Sequence, residues 1–359
     1  MSLRTHGRAA LAAALVTLVL PDILPAQEPK RAQTTAGGLS RREITSDLRL
    51  GVARGLAYLI QAQSSSGDFD ANVPVAVNAL CGLAFLAGGV TEDVGPTEQS
   101  EALRKCTAAL LRRQDVDGYF DDGQSRMYGH GFATLFLAQL YGTSPRNLEA
   151  TREALKKALH VIQVSQSRDG GWDYLPHTGK RTVADSFGDT SITVCQTLAL
   201  RAAKNLGLRV DGTVVNNARR YIERAQNEDG GFRYRPQLRG FRLGESGFAR
   251  SSAGICTLYS LGEYGSASIE RGFVYLDKNY RSLRTPFLYY GHYYCAQAMF
   301  QAGGRRWREY FPWARNHLLA AQRKDGSWPA RSEENKNQCT AMALIVLQLP
   351  YRFLPIHER

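Results

Sequence analysis

The sequence predicts an all-α fold of about six helix pairs closed into a double ring, and three observations carry that reading. A Gln–Gly–aromatic phrase recurs at wide intervals, as "QSRDGGWDYLP" from Gln166, "QNEDGGFRYRP" from Gln226 and "QRKDGSWPA" from Gln322. A stretch with helical spacing of apolar residues precedes each phrase. A second, mostly apolar stretch follows it.

The phrase belongs to a longer frame. An apolar or aromatic pair comes first, then Gln, then Gly four residues on, then an aromatic two residues further. It reads Tyr58-Leu59, Gln63, Gly67, Phe69, then Ala109-Leu110, Gln114, Gly118, Phe120. It returns at Val161-Ile162 with Gln166, Gly170 and Trp172, and at Tyr221-Ile222 with Gln226, Gly230 and Phe232. The last copy is His317-Leu318 with Gln322, Gly326 and Trp328. A worn sixth copy has Gly272, Tyr275-Leu276 and Tyr280 where Gln would stand. The key positions are 51, 52, 60, 54 and 42 residues apart. Periods of that size mean one supersecondary unit repeated.

The unit follows from periodicity. In "ALKKALHVIQVSQ" Leu155, Ala158, Leu159 and Ile162 share one face and Lys156 and Lys157 the other, an amphipathic helix. Stretches such as "PVAVNALCGLAFLAGG" and "SSAGICTLYSLGEYG" are apolar all round, and several end in Gly, a common helix stop. Six amphipathic and six buried helices make a closed ring with the buried set inside; an open solenoid would want polar capping units at both ends. The Gly gives the turn a positive φ, the aromatic wedges between units, and the Gln carboxamide ties the turn's backbone.

The first residues read differently. Arg4 and Arg8 precede the apolar run 9–20, and a small residue, Ala26, follows. That is the layout of an export signal over residues 1–26, with an uncleaved anchor as the other reading. Residues 27–46 read as a flexible linker, residues 47–359 as one ring domain, and the protein as exported, periplasmic or secreted, with no transmembrane helix after cleavage. The formal charge is +12, and removing residues 1–26 (Arg4, Arg8, Asp22) leaves +11. That charge suits an anionic partner, but the basic residues are spread without a long run, against a nucleic-acid partner. Five of the six cysteines lie in apolar stretches, so buried thiols are expected ahead of disulfides.

The frame resembles the QW motif of the squalene–hopene and oxidosqualene cyclases, over about residues 47–359. The resemblance implies the α/α toroid shared by terpenoid cyclases and protein prenyltransferase β-subunits. The segment "GDTSITVCQTLALRAAKNLGL" and the ending from "QAMFQAGGRRW" at Gln297 to Arg359 also look like exported bacterial prenyltransferase/squalene-oxidase-repeat proteins. In such cyclases an Asp-x-Asp-Asp motif protonates an alkene. Here "SFGDTS" keeps only Asp189, with Gly188 where the proton donor belongs, so Asp189 reads as a catalytic candidate or as a helix N-cap. The prenyltransferases hold zinc with Asp, Cys and His; "GHYYCAQA" offers His292 and Cys295, but no Asp-x-Cys pair begins the preceding inner helix. No metal and no cofactor are therefore expected.

Polar residues near the starts of the inner helices are the candidates to face a central cavity: Tyr128, His130, Asp185, Glu245 and Arg250, then Tyr289, Tyr290, Asn337 and Gln338, with Asp189 and His292 as the catalytic candidates. Three functions stay open. The first is a ring that binds a hydrophobic or peptide ligand, the second an isoprenoid enzyme with an altered acid, and the third a lyase-like toroid on acidic glycans. A mostly apolar cavity favours the first two; an open polar groove with Arg and Tyr favours the third.

Overall fold

The computed structural model describes residues 43–177, 186–238, 244–330 and 335–357. The leader, most of the linker and Asp185 lie outside the described residues. Twelve α-helices and no strand are found among the described residues. They come in pairs: α1 (Ser46–Ala62) and α2 (Pro74–Ala87), α3 (Thr97–Leu111) and α4 (Arg126–Tyr141), α5 (Leu148–Val164) and α6 (Thr190–Asn205). The chain continues with α7 (Gly212–Arg224) and α8 (Phe248–Ser260), α9 (Ala267–Asn279) and α10 (Leu288–Ala302), α11 (Gly304–Ala321) and α12 (Lys336–Gln348).

Odd-numbered helices form the outer ring. On α7 only Val214, Ala218, Tyr221 and Ile222 are buried, one stripe at helical spacing. Even-numbered helices form the inner ring; every residue of α2 except Ala76 is buried. Each inner helix packs against the next, α2 on α4, α4 on α6, and so on to α12, which packs on α2. Each also packs on the outer helix that follows it, and α12 does so on α1. The ring is thus closed, as the α/α toroid requires. No described helix is long and apolar enough to cross a membrane. All six cysteines are buried, and none is in a disulfide.

The Gln does more than tie its own turn. Gln63 Nε2 donates to Gly67 O and to Ala102 O on the next outer helix, at 3.0 and 2.9 Å. Gln114 bridges Gly118 and Ala154, Gln166 bridges Gly170 and Val214, and Gln226 bridges Gly230 and Ser268. Gln322 bridges Gly326 and Gly51, so the last turn is fastened to the first helix and the ring is locked. The Gly of each turn has φ between 87° and 99° and sits against the carbonyl three residues beyond the Gln's acceptor. At Gly326 that carbonyl belongs to Arg54, and a Cβ would drive into it.

A second tie runs inward. The N–H of each turn aromatic is held by a side chain in the first turns of its inner helix: Asn78 for Phe69, His130 for Phe120, Thr193 for Trp172, Ser251 for Phe232 and Thr340 for Trp328. In the worn sixth pair His292 takes that register and meets Tyr310 OH on α11 at 3.0 Å. Tyr280, standing for the lost Gln, stacks edge-on with Tyr310 and Trp313. Aromatic packing there replaces the carboxamide bridge.

One end of the ring is plugged. The short 3₁₀ turns Leu349–Tyr351 and Pro355–His357 run beneath the C-terminal ends of the inner helices. Gln139 Oε1 accepts Ile356 N–H, and Gln301 Nε2 donates to His357 O.

Two predictions follow from these ties. Gly326→Ala should lower stability by at least about 2 kcal/mol, from the left-handed backbone and the Arg54 carbonyl together. Gln322→Ala should cost about 1 kcal/mol, one half-buried bridge. Urea unfolding checks both, and an unchanged midpoint in Gly326→Ala would refute the lock. A further prediction concerns pH. His130 accepts Phe120 N–H on Nδ1 and donates from Nε2 to Ala158 O, so a second ring proton would face an N–H. Burial holds its pKa down to about 4, and burial holds His292 to about 3 and His357 to about 4. These folded values lie below the unfolded ~6.5. The unfolded chain therefore takes up protons first. Stability is full above pH ~6.5 and falls toward pH ~4, by up to ~1.4 kcal/mol per pH unit for each histidine. His130→Asn, which copies Asn78, should remove one histidine's share; an identical acid decline in both proteins would count against this account.

Candidate functional site

A cavity of about 710 Å³ lies at the N-terminal ends of the inner helices, opposite the plug. Its body is apolar and aromatic: Leu80 and Ala76 from α2, Tyr128 and Phe132 from α4, Phe248 from α8 and Tyr290 from α10. Its rim is polar, with Gln124, Ser125, Ser246, Arg250, Thr285 and Gln338. Phe287, 57% exposed and in the left-handed region at φ 53°, stands in the loop before α10 and also lines it. Among the described residues the lining contains no carboxylate. Six inner helices point their N-termini toward this end, and their dipoles favour negative charge there.

Register decides which candidates reach the cavity. Tyr128 and Tyr290 line it, as do Arg250 and Gln338. His130 and His292 stand two residues after those tyrosines, about 200° round the helix. They lie in the wall between the rings, at 0% and 4% exposure, His292 against Phe248 and Trp313. Tyr289 is buried at 3% exposure and is not among the lining residues. Glu245 is exposed, and its carbonyl accepts from Arg250 at 3.1 Å. Asn337 joins the closing seam, accepting from Tyr58 OH and donating to Phe69 O. Asp189 is fully buried just behind the lining.

Asp189 has two jobs. Its Oδ1 caps α6 by accepting Ser191 N–H at 2.7 Å. Its Oδ2 accepts from Tyr174 OH at 3.1 Å, and Tyr174 OH meets Tyr234 OH at 2.6 Å. Both tyrosines line the cavity. Burial raises the carboxyl's pKa, and hydrogen bonds from Tyr234, Ser191 N–H and Tyr174 hold it back in part. Burial likewise raises both phenols, with the Asp189 charge behind it. Backbone bonds fix the pair: Met127 N–H donates to Tyr174 O and Thr190 N–H to Tyr234 O, at 2.9 and 3.0 Å. Sequence reasoning missed these two residues. The signal was present, because two of the five copies of the phrase, those of Gln166 and Gln226, place Tyr two residues after the turn aromatic.

No family model and no curated protein matches the chain. Among solved structures it is similar to the type II terpene cyclase MstE from Scytonema in complex with geranylgeranyl dihydroxybenzoate, its substrate. The TM-score is 0.57 at 15% identity, covering 86% of this chain and 98% of that one. It is similar to a family 76 glycoside hydrolase from Bacteroides thetaiotaomicron, with TM-score 0.63, 11% identity and coverage of 86% and 78%. It is also similar to an inactive variant of the α-1,6-mannanase of a Salegentibacter species in complex with α-1,6-mannotriose, with TM-score 0.61, 8% identity and coverage of 85% and 99%. At these identities the likeness shows the α/α toroid fold alone.

Proposed function

We propose that this chain is an exported toroid, built on QW-type repeats, that binds a hydrophobic, isoprenoid- or lipid-like molecule in its central cavity without cyclase or zinc-prenyltransferase chemistry. One observation carries the reading: the cavity's lining is mostly aromatic and aliphatic, with Leu80, Phe132 and Phe248 among the rings of Tyr128 and Tyr290. Neighbouring folds take a geranylgeranyl chain in one case and mannotriose in another, so the lining must choose between them. A sugar needs directional hydrogen-bond partners along its whole length, whereas an apolar chain needs dry surface. Leu80 and Phe132, each more than a turn inside its helix, supply dry surface. A volume near 700 Å³ is of the size that encloses a small amphiphile. Arg250 and the helix N-termini at the rim suit a polar or anionic head. Gly188 in place of a proton donor, and His292 in the wall facing Tyr310, support binding over the two family chemistries. The export signal and the five-fold frame support the family and the location.

The test is ligand binding with a blocked cavity. Retinol, followed by its fluorescence, should bind the full chain. Ala76→Trp and Ala249→Trp, both at positions that line the cavity and each placing an indole in it, should weaken binding at least tenfold, or about 1.4 kcal/mol. Equal retinol affinity in both variants, or binding of an acidic glycan with none of retinol, would overturn the reading.

A further inference from the structure

The trio behind the cavity wall carries an inference that rests on the binding reading and goes further. Asp189 Oδ1 is spent on the α6 cap, so any proton the carboxyl takes sits on Oδ2, the oxygen that meets Tyr174. When the carboxyl is ionised, the hydroxyl protons of Tyr174 and Tyr234 are both drawn inward, toward the negative charge or toward each other across 2.6 Å. At this pair the cavity then meets only phenol lone pairs. When Oδ2 carries a proton, the carboxyl donates to a tyrosine oxygen. The proton of the outer hydroxyl is then free to turn into the cavity. One proton is gained and only O–H···O links are exchanged.

We infer that the Asp189–Tyr174–Tyr234 chain selects the polar end of the bound molecule: one proton added at Asp189 changes the cavity wall from a hydrogen-bond acceptor into a donor. A ligand whose polar end only accepts, such as an ester or a ketone, is favoured when the trio is protonated. A ligand with a hydroxyl to donate is favoured when the carboxyl is ionised. Asp189 is here a positioning residue, acting through the two phenols that face the ligand.

The surrounding groups leave the change to Asp189. Tyr128 from α4, Tyr221 from α7 and Tyr290 from α10 are pushed up by burial and keep their protons, and burial pushes the Cys195 thiol of α6 up to about 12. Arg235 is ion-paired with Asp173 at 3.0 Å, Arg250 stands at the rim, and both are permanent cations. Asp169 accepts Gly188 N–H on the outer side of the turn. Burial raises the Asp189 pKa above the ordinary carboxylate value, and the hydrogen bonds from Tyr234, Ser191 N–H and Tyr174 oppose it.

Retinol and retinyl acetate share one apolar body; the first donates and the second only accepts. Their dissociation constants are measured by fluorescence on the full chain from pH 8 to 5, with circular dichroism confirming the fold at each pH. The expected result is an acetate-to-retinol Kd ratio that rises about tenfold from the low to the high end, the worth of one dry hydrogen bond. Asp189→Asn keeps an N-cap but cannot titrate, so its ratio should be flat with pH; Tyr234→Phe should flatten it as well. A pH-independent ratio in the unmodified protein, or an undiminished slope in Asp189→Asn, would overturn the inference while leaving cavity binding intact. Failure of both probes to bind would remove the binding reading itself and this inference with it.

Discussion

The carboxamide bridge from each Gln to two carbonyls, one in its own turn and one on the next outer helix, is the constraint on which the ring depends. It fixes the distance and angle between consecutive helix pairs with the same short geometry five times over. A bridge that always reaches forward by one unit can end in only two ways. Either a terminal unit is left without a partner, or the last Gln finds the first helix. Gln322 on Gly51 is the second outcome. Asn337 on Phe69, Asn335 on Asp70 and Gln348 on Ala84 sew the same seam from inside. Inner-ring packing supplies the larger share of the stabilisation, since apolar burial scales with area. Packing alone is not directional, and the bridges set the register.

The worn pair shows what the bridge is worth by its loss. Between α9 and α11 there is no Gln, and the chain uses Tyr280, Tyr310, Trp313 and His292 to fill the space. The Glu270–Arg306 ion pair adds a tie on the outside. Aromatic contact tolerates more variation in geometry than a two-point hydrogen bond does. The loop of this pair, with Thr285 and Phe287, is also one that borders the cavity. The least rigidly fastened seam therefore lies beside the opening.

Much of the fold could be read from residue spacing, because a fixed interval of four and then two residues is a backbone requirement that tolerates few substitutes. The forward reach of Gln could not be read, because its second acceptor is a main-chain carbonyl and carries no side-chain signature. The site was legible in part for a related reason. Inner helices are apolar all round, so their sequence gives no amphipathic phase from which to tell the cavity side from the wall side. Polar residues near their starts were therefore indistinguishable, although one of them, His130, serves a turn. Asn78, His130, Thr193, Ser251 and Thr340 share one register and one acceptor task, and seen as a set they would have placed His292 in the wall as well. Tyr174 and Tyr234 escaped because they lie in the turns, outside any helix.

The plug and the rim together give the cavity a direction. Residues 349–357 cover the C-terminal end of the ring, so the proposed ligand would reach the cavity from the end where helix N-termini gather. That end carries Arg250, Gln338 and Ser246, and the tyrosine pair is fixed there by backbone bonds to the starts of α4 and α6. An amphiphile would lie with its tail toward Leu80 and Phe132 and its polar end level with the tyrosines. Burying the tail yields affinity with little selectivity, since one methylene is much like another. Selectivity has to come from the polar end, where an unmatched donor or acceptor in a dry site is penalised. A buried carboxyl that both caps a helix and governs two phenols sits at the one level of the cavity where such a choice can be made.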